Sequence, residues 1–372
     1  MAGSSVRAGR SRVVLILDAS WPLAVPVSAC ALLVAALSWP LGAALATACA
    51  AALVAAVVAA VHHAEVVAHR VGEPFGTLVL ALSVTAIEVA LILSLMVVGG
   101  PAKAALARDT IFATVMIILG GVVGLCLLLG GLRHGEQHFR VEGAAPAFAA
   151  LAALSTLVLI MPIFTTSAPG GSYSASQLIF VGTTSLLLWC VFVFFQTVRH
   201  RDYFLPRTDP SNEEAHAAPP TRLRALASFL LLLLSLAAVV GLAKALSPRI
   251  EAVVSAAGAP DAVVGIAIAL IVLMPESWSA VRAALANRLQ TSMNLALGSA
   301  LASIGLTVPS VVLASILLDM PLELGIQPKD MVLLVLSFIV GVIGLGNGRT
   351  NLMQGAVQLV IFAAFLFLAL VP

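Results

Sequence analysis

The sequence predicts an all-α polytopic membrane protein with eleven transmembrane helices: one extra N-terminal helix, then two inverted five-helix repeats. The first observation is the composition, since 61% of the 372 residues are hydrophobic and only 10% are charged, outside the range of soluble globular domains. The second is that apolar stretches of about 17 to 25 residues, long enough to cross roughly 30 Å of hydrocarbon, recur along nearly the whole chain. The third is that the two halves carry matching polar residues inside these stretches. Membrane lipid is therefore the expected surrounding, and the small net charge of +2 does not indicate nucleic acid.

Short polar and proline-containing segments separate the apolar stretches. The basic segment 1–12 leads, uncleaved, into the first span, and the turn "WPLG" at 39–42 separates it from the second. The long polar segment 198–224 is rich in Pro, Asp, Glu and Asn, which is typical of a surface connection between two halves. The predicted spans are 22–38, 42–62, 75–99, 109–130, 147–167, 176–197, 225–245, 260–282, 293–318, 330–347 and 351–370.

The distribution of basic residues predicts the orientation. With a cytoplasmic N-terminus, the cytoplasmic segments hold fourteen lysines and arginines, and the opposite face holds five. Because cytoplasmic loops are enriched in such residues, and because the number of spans is odd, the C-terminus is expected outside. The four cysteines all fall in apolar segments without paired spacing and are interpreted as packing residues: Cys30, Cys49, Cys126 and Cys190.

Two glutamates fall well inside predicted spans, Glu88 in the third and Glu276 in the eighth. An acidic residue at the centre of a membrane helix costs on the order of 3 kcal/mol even on the insertion scale. Either these carboxyl groups only hydrogen-bond neighbouring helices, or they form an ion or proton site, and the usual position of such residues at a cavity favours the site. Pro275 removes a backbone donor beside Glu276, which predicts a broken helix with a free carbonyl turned toward a cation.

The helix after each glutamate carries two hydroxyls one turn apart. Thr110 and Thr114 follow Glu88 by 22 and 26 residues, and Ser299 and Ser303 follow Glu276 by 23 and 27 residues. The matching offsets indicate two five-span repeats of opposite orientation, because each contains an odd number of spans. The expected parts are therefore the N-terminus and first helix (1–40), the first repeat (41–197), the cytoplasmic linker (198–224) and the second repeat (225–372).

Oxygen ligands dominate the candidate site. Thr85 lies three residues before Glu88 on the same helical face, whereas Ser83 points about 140° away. Hard oxygen ligands without Cys or His favour Ca²⁺ or an alkali ion over zinc or copper. The candidate ligands are Glu88, Glu276, Thr85, Ser83, Thr110, Thr114, Ser299, Ser303, Asn287 and Asn294.

Such a site predicts antiport, because a proton and a metal ion compete for the same carboxylate oxygens. Glu88 and Glu276 would bind cation and proton in turn while the halves alternate between inward and outward access. Two carboxylates would carry two protons against one divalent ion. A cation channel on a similar scaffold is the alternative from another class. The absence of a sizeable soluble domain and of a paired metal-ligand motif argues against an enzyme, and no cofactor is expected.

Four long runs resemble bacterial calcium/proton antiporters of the cation/calcium exchanger superfamily, the branch also credited with Na⁺/H⁺ and K⁺/H⁺ exchange. They are "HHAEVVAHRVGEPFGTLVLALSVTAIEVALI", "LARDTIFATVMIILGGVVG", "LMPESWSAVRAALANRLQTSMNLALGSALASIGLTVP" and "GRTNLMQGAVQLVIFAAFL". The resemblance extends from about residue 60 to the C-terminus. It implies an eleven-helix fold in the bacterial inner membrane, with two inverted repeats and one essential acidic residue in each.

Individual residues match the motifs of this superfamily. Glu88 and Glu276 occupy its two acidic positions, Gly298 and Ser299 match its second-repeat glycine–serine motif, and Asn287 matches an asparagine after the second glutamate. The sequence lacks the "GNxxE" signature of the vacuolar and sodium/calcium branches. This difference leaves the choice between Ca²⁺ and Na⁺ or K⁺ open.

Three further features have two interpretations each. His62, Glu65 and His69 share a helical face and could bind a metal or sense pH, or be polar groups at a cytoplasmic helix end. The acidic linker could sense cations or be a solvated loop. Asp109 suits a helix N-terminus and could stand at the outer mouth of the ion path.

Overall fold

The computed structural model describes residues 12–72, 75–204, 220–256, 258, 260, 262–346 and 348–371. Long helices account for most of this chain, as their apolar composition requires, since a backbone in lipid must satisfy its hydrogen bonds within the segment. In chain order the long helices are α1 (Arg12–Ser38), α2 (Ala43–Val71), α3 (Phe75–Gly99), α4 (Leu106–His134), α5 (Val141–Phe164), α6 (Ala175–Arg199), α7 (Arg222–Ala256), α8 (Ala262–Leu285), α9 (Leu289–Leu317), α10 (Pro328–Leu345) and α11 (Leu352–Leu370).

Eleven helices in the described chain are long and apolar enough to cross a membrane. This confirms the predicted all-α polytopic fold and its number of spans, and the protein is a multi-pass membrane protein. The turn at 39–42 separates α1 from α2 as expected. Helix α2 continues to Val71, nine residues beyond its predicted end at 62, because the polar run that follows is also helical. Within the linker, a one-turn helix spans Arg201–Phe204, and residues 205–219, with three of the linker's acidic side chains, lie outside the described residues.

Three of the long helices contain π-helical segments, at Ile117–Val122 in α4, Thr156–Ile160 in α5 and Phe195–Arg199 in α6. The segment in α4 is fully buried and includes the glycine pair Gly120 and Gly121. A π-helical turn inserts an extra residue and is frequent at functional sites. Short pieces complete the described secondary structure: the 3₁₀ turn Gly100–Lys103 and two antiparallel strands, β1 (Gln137–His138) and β2 (Arg349–Thr350).

The predicted helix break at Pro275 is wrong. Helix α8 runs from Ala262 to Leu285 and includes both Pro275 and Glu276. A proline removes one intrahelical hydrogen bond, and membrane helices tolerate this loss when neighbouring groups compensate. Here the hydroxyl of Ser277 donates to the carbonyl of Leu273 at 2.6 Å and adds a bond in the same turn. Glu276 is therefore carried by a helix and not by an unwound segment.

The contacts divide the chain into two units. The first comprises residues 1–83 and 219–246 and therefore contains α1, α2, the first part of α3 and most of α7. Within it α1 packs along α2, and Gly241 of α7 allows Leu33 of α1 to approach closely, since an added Cβ would lie 2.4 Å from Leu33 Cδ2.

The second unit comprises residues 84–218 and 247–372, and α4 and α9 form its interior. Helix α6 packs along α9, and α11 packs along α4. Both pairs are in close contact at glycines: a Cβ on Gly305 would lie 2.5 Å from Trp189 Cβ, and one on Gly355 would lie 2.4 Å from the backbone nitrogen of Leu128. In the predicted repeats α4 and α9 are equivalent, as are α6 and α11. The observed pairing is compatible with that plan.

Helices α6 and α11, which are equivalent in the predicted repeats, begin in similar ways. Ser174 and Gln177 form a capping box at the start of α6. Asn351 caps α11 by accepting hydrogen bonds from the backbone N–H groups of Met353 and Gln354 at 3.1 and 3.3 Å. Such side chains satisfy backbone donors that the first helical turn leaves unpaired.

Candidate functional site

The buried carboxylate of Glu88 forms the centre of the candidate site. Glu88 lies on α3 and is 2% exposed. The hydroxyl of Ser303 on α9 lies 2.7 Å from Glu88 Oε1 and 2.8 Å from Glu88 Oε2, so it can donate to either oxygen. These two residues are 215 positions apart in sequence. The structure thus joins the deep glutamate of one half to a predicted hydroxyl of the other.

Two threonines extend the polar surface around this contact. Thr85, one turn before Glu88, is 4% exposed, as its predicted position on the same helical face requires. Thr307, one turn after Ser303, is fully buried and lies close enough to Glu88 to interact electrostatically with it. Its Oγ1 makes no hydrogen bond of normal length to the described residues, so the hydroxyl lies near the carboxylate but just beyond bonding distance. Thr307 is not among the ligands expected from the sequence, although Ser299, Ser303 and Thr307 repeat every four residues along one helical face.

The hydroxyls of α4 are equally buried. Thr110 is 0% exposed and donates to the carbonyl of Leu106 at 2.8 Å, a bond within its own helix. Thr114 is 1% exposed, and its Oγ1 has no hydrogen-bond partner among the described residues. A buried hydroxyl without a partner costs about 1–3 kcal/mol. Such a group requires an explanation, and a bound water or ion is a common one. Thr114 is therefore available as an oxygen ligand.

The second deep glutamate differs from the first in its burial. Glu276 on α8 is half-buried, whereas Glu88 is fully enclosed. Helix α8 packs against α4, and the two backbones approach closely at Gly265, where an added Cβ would lie 2.9 Å from the nitrogen of Thr110. The helix that carries Glu276 is thus in contact with the helix that carries Thr110 and Thr114. The α8–α4 pair therefore resembles the α3–α9 pair. In each pair, a helix that carries a glutamate lies next to a helix of the other half that carries hydroxyl side chains.

The remaining predicted ligands on the second half are placed differently. Ser299 is half-buried on α9, one turn before Ser303. Asn287 is exposed in the turn between α8 and α9, with a left-handed backbone (φ 58°), and accepts a hydrogen bond from Gln137 Nε2 at 3.0 Å. Asn294 donates to the carbonyl of Phe204 at 2.6 Å. The structure therefore does not bring Asn287 or Asn294 to the buried carboxylate. Their contacts hold loops and helix ends.

Ser83 also makes a local bond, donating to the carbonyl of Val79 at 2.8 Å. Asp109 lies in the first turn of α4, as expected for an acid at a helix N-terminus, and accepts a hydrogen bond from Arg108 Nε at 2.8 Å. Its place at the outer mouth of the ion path stays a prediction.

The histidine-rich end of α2 has no metal-binding arrangement. No group of three or more His, Cys, Asp or Glu side chains in the described chain could hold a metal ion. Glu65 and His69 are exposed. His62 packs against the ring of Trp21 at a centroid distance of 4.9 Å, and the neighbouring His63 is buried and bonded to the carbonyl of Pro22 at 2.8 Å. These contacts favour the interpretation of this helix end as polar groups at the end of a span.

The site's chemistry follows from its atoms. It offers one enclosed carboxylate and several hydroxyl oxygens. Such oxygens suit Ca²⁺ and alkali ions rather than soft transition metals. The carboxylate can also bind a proton. A cation and a proton therefore compete for the same oxygens, and the arrangement can exchange one for the other.

Comparisons with known proteins agree with this interpretation of the fold. Residues 38–198 and 227–371 match the family described as sodium/calcium exchanger protein. The chain is 50% identical over 312 residues to a candidate ionic transporter, y4hA, of Sinorhizobium fredii, which covers 84% of each chain. It is 37% identical over 306 residues to the sodium-potassium/proton antiporter ChaA of Escherichia coli, which covers 82% of each chain.

A solved structure shows the same fold. The structure of native YfkE superimposes with a TM-score of 0.71 and covers 96% of this chain and 99% of its own. The two sequences are 19% identical in that alignment, so the similarity concerns the fold.

Proposed function

The chain belongs to the sodium/calcium exchanger protein family, and from this premise we propose that it is a secondary active transporter that exchanges a cation for protons across the bacterial inner membrane. The observation that carries the proposal is the enclosed Glu88 carboxylate, whose two oxygens both lie within hydrogen-bond distance of the Ser303 hydroxyl on α9. An isolated ionised carboxylate in such surroundings is costly. Glu88 is therefore stable in two states, neutral with a proton or charge-compensated by a cation.

Exchange follows from that alternation. When a cation enters, Glu88 releases its proton and the hydroxyl of Ser303 turns a lone pair toward the ion. When a proton returns, the cation loses its charged ligand and leaves. Glu276, with Thr114 on the neighbouring helix α4, would supply the second half of the site. Alternating access then follows from motion of the helices that carry these groups, as in other transporters built from inverted repeats.

Calcium is the first candidate cation, because it prefers carboxylate and hydroxyl oxygens and because two carboxylates would balance its charge. Sodium or potassium is the second. Two observations favour the monovalent ions: the E. coli relative, 37% identical, is named a sodium-potassium/proton antiporter, and Glu276 is only half-buried, so the enclosed part of the site holds a single carboxylate. Ca²⁺/H⁺ antiporters from Bacillus subtilis and Aphanothece halophytica are 24% and 23% identical to the chain.

Everted membrane vesicles test the proposal. A respiration-driven pH gradient is formed, and Ca²⁺, Na⁺ or K⁺ is then added at a fixed pH. We expect at least one of these ions to dissipate the gradient in the wild-type protein, and the ion that acts at the lowest concentration is the preferred substrate. If none of the three moves protons, the antiporter proposal is wrong.

The variants Glu88→Gln and Glu276→Gln test the site. Glutamine is nearly isosteric with glutamate but cannot ionise, so each variant should fold and lose exchange. Full exchange in both variants would contradict the assignment of the site while leaving the transport proposal standing. A channel instead of an antiporter would carry the cation without moving protons.

A further inference from the structure

A second polar feature lies away from Glu88, in a cavity within the second unit. The cavity is bounded by α4, α5, α9, α10 and α11, and its volume is about 20 Å³. One water molecule requires roughly 10–15 Å³ by the same measure. Most of its walls are apolar, including Leu119 of α4, Phe148 of α5 and Leu297 of α9.

Two glutamines supply the polar part of the lining. Gln354 and Gln358 lie one turn apart on α11, and both line the cavity. The Oε1 atom of each is buried without a hydrogen-bond partner. Gln358 as a whole is 4% exposed. Side chains at this spacing have Cβ atoms about 5–6 Å apart, so one donor molecule between them can bond both oxygens.

Glycines make room for these side chains. An added Cβ on Gly124 of α4 would lie 3.2 Å from Gln358 Cβ, and one on Gly344 of α10 would lie 3.8 Å from Gln354 Cδ. The ring of Phe148 covers Gly341 so closely that a Cβ there would lie 2.3 Å from its Cζ. The cavity therefore depends on close packing at small residues, and its shape is specific.

The two unpaired amide oxygens in the lining favour water as the occupant of this cavity. Cavities that stay empty are apolar, whereas a buried water typically makes two to four hydrogen bonds to otherwise unpaired groups. Two amide oxygens in a space of this size meet that condition. Two unpaired buried acceptors would otherwise cost about 1–3 kcal/mol each.

The position of the cavity connects it with the exchange site. Gln354 is in the first turn of α11, close to the end of the helix, and Gln358 lies one turn deeper. The inner wall includes Leu119, five residues after Thr114 on α4. At 1.5 Å per residue this separation is about 7.5 Å along the helix axis. The cavity thus lies between one membrane face and the unpaired hydroxyl of Thr114.

We propose that Gln354 and Gln358 bind water in this cavity and that this water forms part of the route by which protons reach the exchange site from the face where α10 ends and α11 begins. The proposal rests on the proton exchange proposed above. The amide oxygens orient the water by accepting its hydrogens, and the water oxygen remains free to accept a proton from the next donor. The glutamines themselves do not ionise, so they position the water without taking up the transported proton.

Hydroxyl-radical footprinting of the wild-type protein tests the water site. Radicals generated from bound water oxidise neighbouring side chains even when these are buried. Phe148 lines the cavity and is 5% exposed, and Phe365 of α11 is a matched control, 3% exposed and packed against Phe112 outside this cavity. We expect oxidation of Phe148 well above that of Phe365. Equal protection of the two rings would overturn the proposal.

The rate of cation/proton exchange by the variant Gln358→Leu tests the proton route. This variant should exchange about tenfold more slowly than wild type, equal to about 1.4 kcal/mol, and its half-maximal cation concentration should not change. Oxidation of Phe148 should fall in the same variant. The control is Gln327→Leu, at an exposed position whose side chain makes no capping bond to α10.

The outcomes separate this inference from the proposed function. If Gln358→Leu exchanges at the rate of Gln327→Leu, the proton route is wrong even if Phe148 is oxidised. If the wild-type protein exchanges no cation, the proposed function fails first, and the footprint still reports whether the cavity holds water.

Discussion

Removal of one hydroxyl, in the variant Ser303→Ala, tests the central contact of the site. The hydroxyl lies 2.7 and 2.8 Å from the two carboxylate oxygens of Glu88, and both residues are 2% exposed. This enclosure limits the access of solvent to the position of the lost donor. Alanine is one atom smaller, so the substitution changes the polar contact with little change in packing.

The magnitude follows from the strength of this bond. A hydrogen bond to a charged group contributes about 1.5–3 kcal/mol, which equals roughly 10- to 150-fold in an equilibrium constant. The ionised carboxylate loses this stabilisation, and a bound cation also loses one oxygen ligand. Protonated Glu88 depends less on the donor. The balance at a given pH therefore moves from the cation-bound to the protonated form, and more cation is needed for exchange.

The assay measures how much cation half-dissipates a pH gradient in everted vesicles. We expect the half-maximal concentration for Ser303→Ala to rise roughly 10- to 150-fold at fixed pH. Ser310→Ala is the matched control, because Ser310 is on the same helix and its hydroxyl donates at 2.7 Å to the carbonyl of Leu306 within α9. Equal half-maximal concentrations in the two variants, with equal amounts of folded protein, would refute the argument that Ser303 supports the ionised site.

Three further predictions concern the hydroxyl of Thr114 on α4, the helix packing at Gly355 and the turn at Asn287. Thr114→Val should keep or raise the melting temperature, because the lost hydroxyl is buried without a hydrogen-bond partner among the described residues, but should weaken cation-driven proton release; normal exchange would remove Thr114 from the site. Gly355→Ala should destabilise the fold by about 1–3 kcal/mol, because its Cβ would lie 2.4 Å from the nitrogen of Leu128, whereas Gly298→Ala meets nothing within 4 Å; thermal denaturation in detergent compares the two, and similar melting temperatures would contradict the packing argument. Asn287→Gly should keep exchange, because glycine readily adopts the left-handed backbone of this turn (φ 58°) and the lost side chain bonds Gln137 and not the carboxylate; a loss of exchange would show that the asparagine side chain acts on the ion after all.

The sequence was sufficient to predict the number and type of the membrane-spanning elements, because membrane insertion depends mainly on the local apolar content of each segment. The eleven spans follow from this property, including the short turn between α1 and α2. The same reasoning identified Glu88, Thr114 and Ser303, since a carboxylate in an apolar run is costly and hydroxyls one turn apart share a face. It failed at Pro275, because a proline pattern does not reveal whether neighbouring bonds keep the helix continuous.

The pairing of these residues required the tertiary structure. Glu88 and Ser303 are bonded across 215 positions because α3 and α9 pack with these two residues facing each other. The spacing of residues within either helix does not specify which faces of the two helices meet. The same applies to Asn287, which the sequence places after a glutamate helix and which the fold turns outward into a loop. Gln354 and Gln358 resemble ordinary polar residues in the sequence, and only the packing of five helices around them creates a cavity with unpaired oxygens. The sequence by itself therefore determined which segments enter the membrane and which residues are too polar to be there without a reason, because these are local properties. Only the tertiary structure decided which polar atoms meet, because that depends on the packing of helices far apart in the chain.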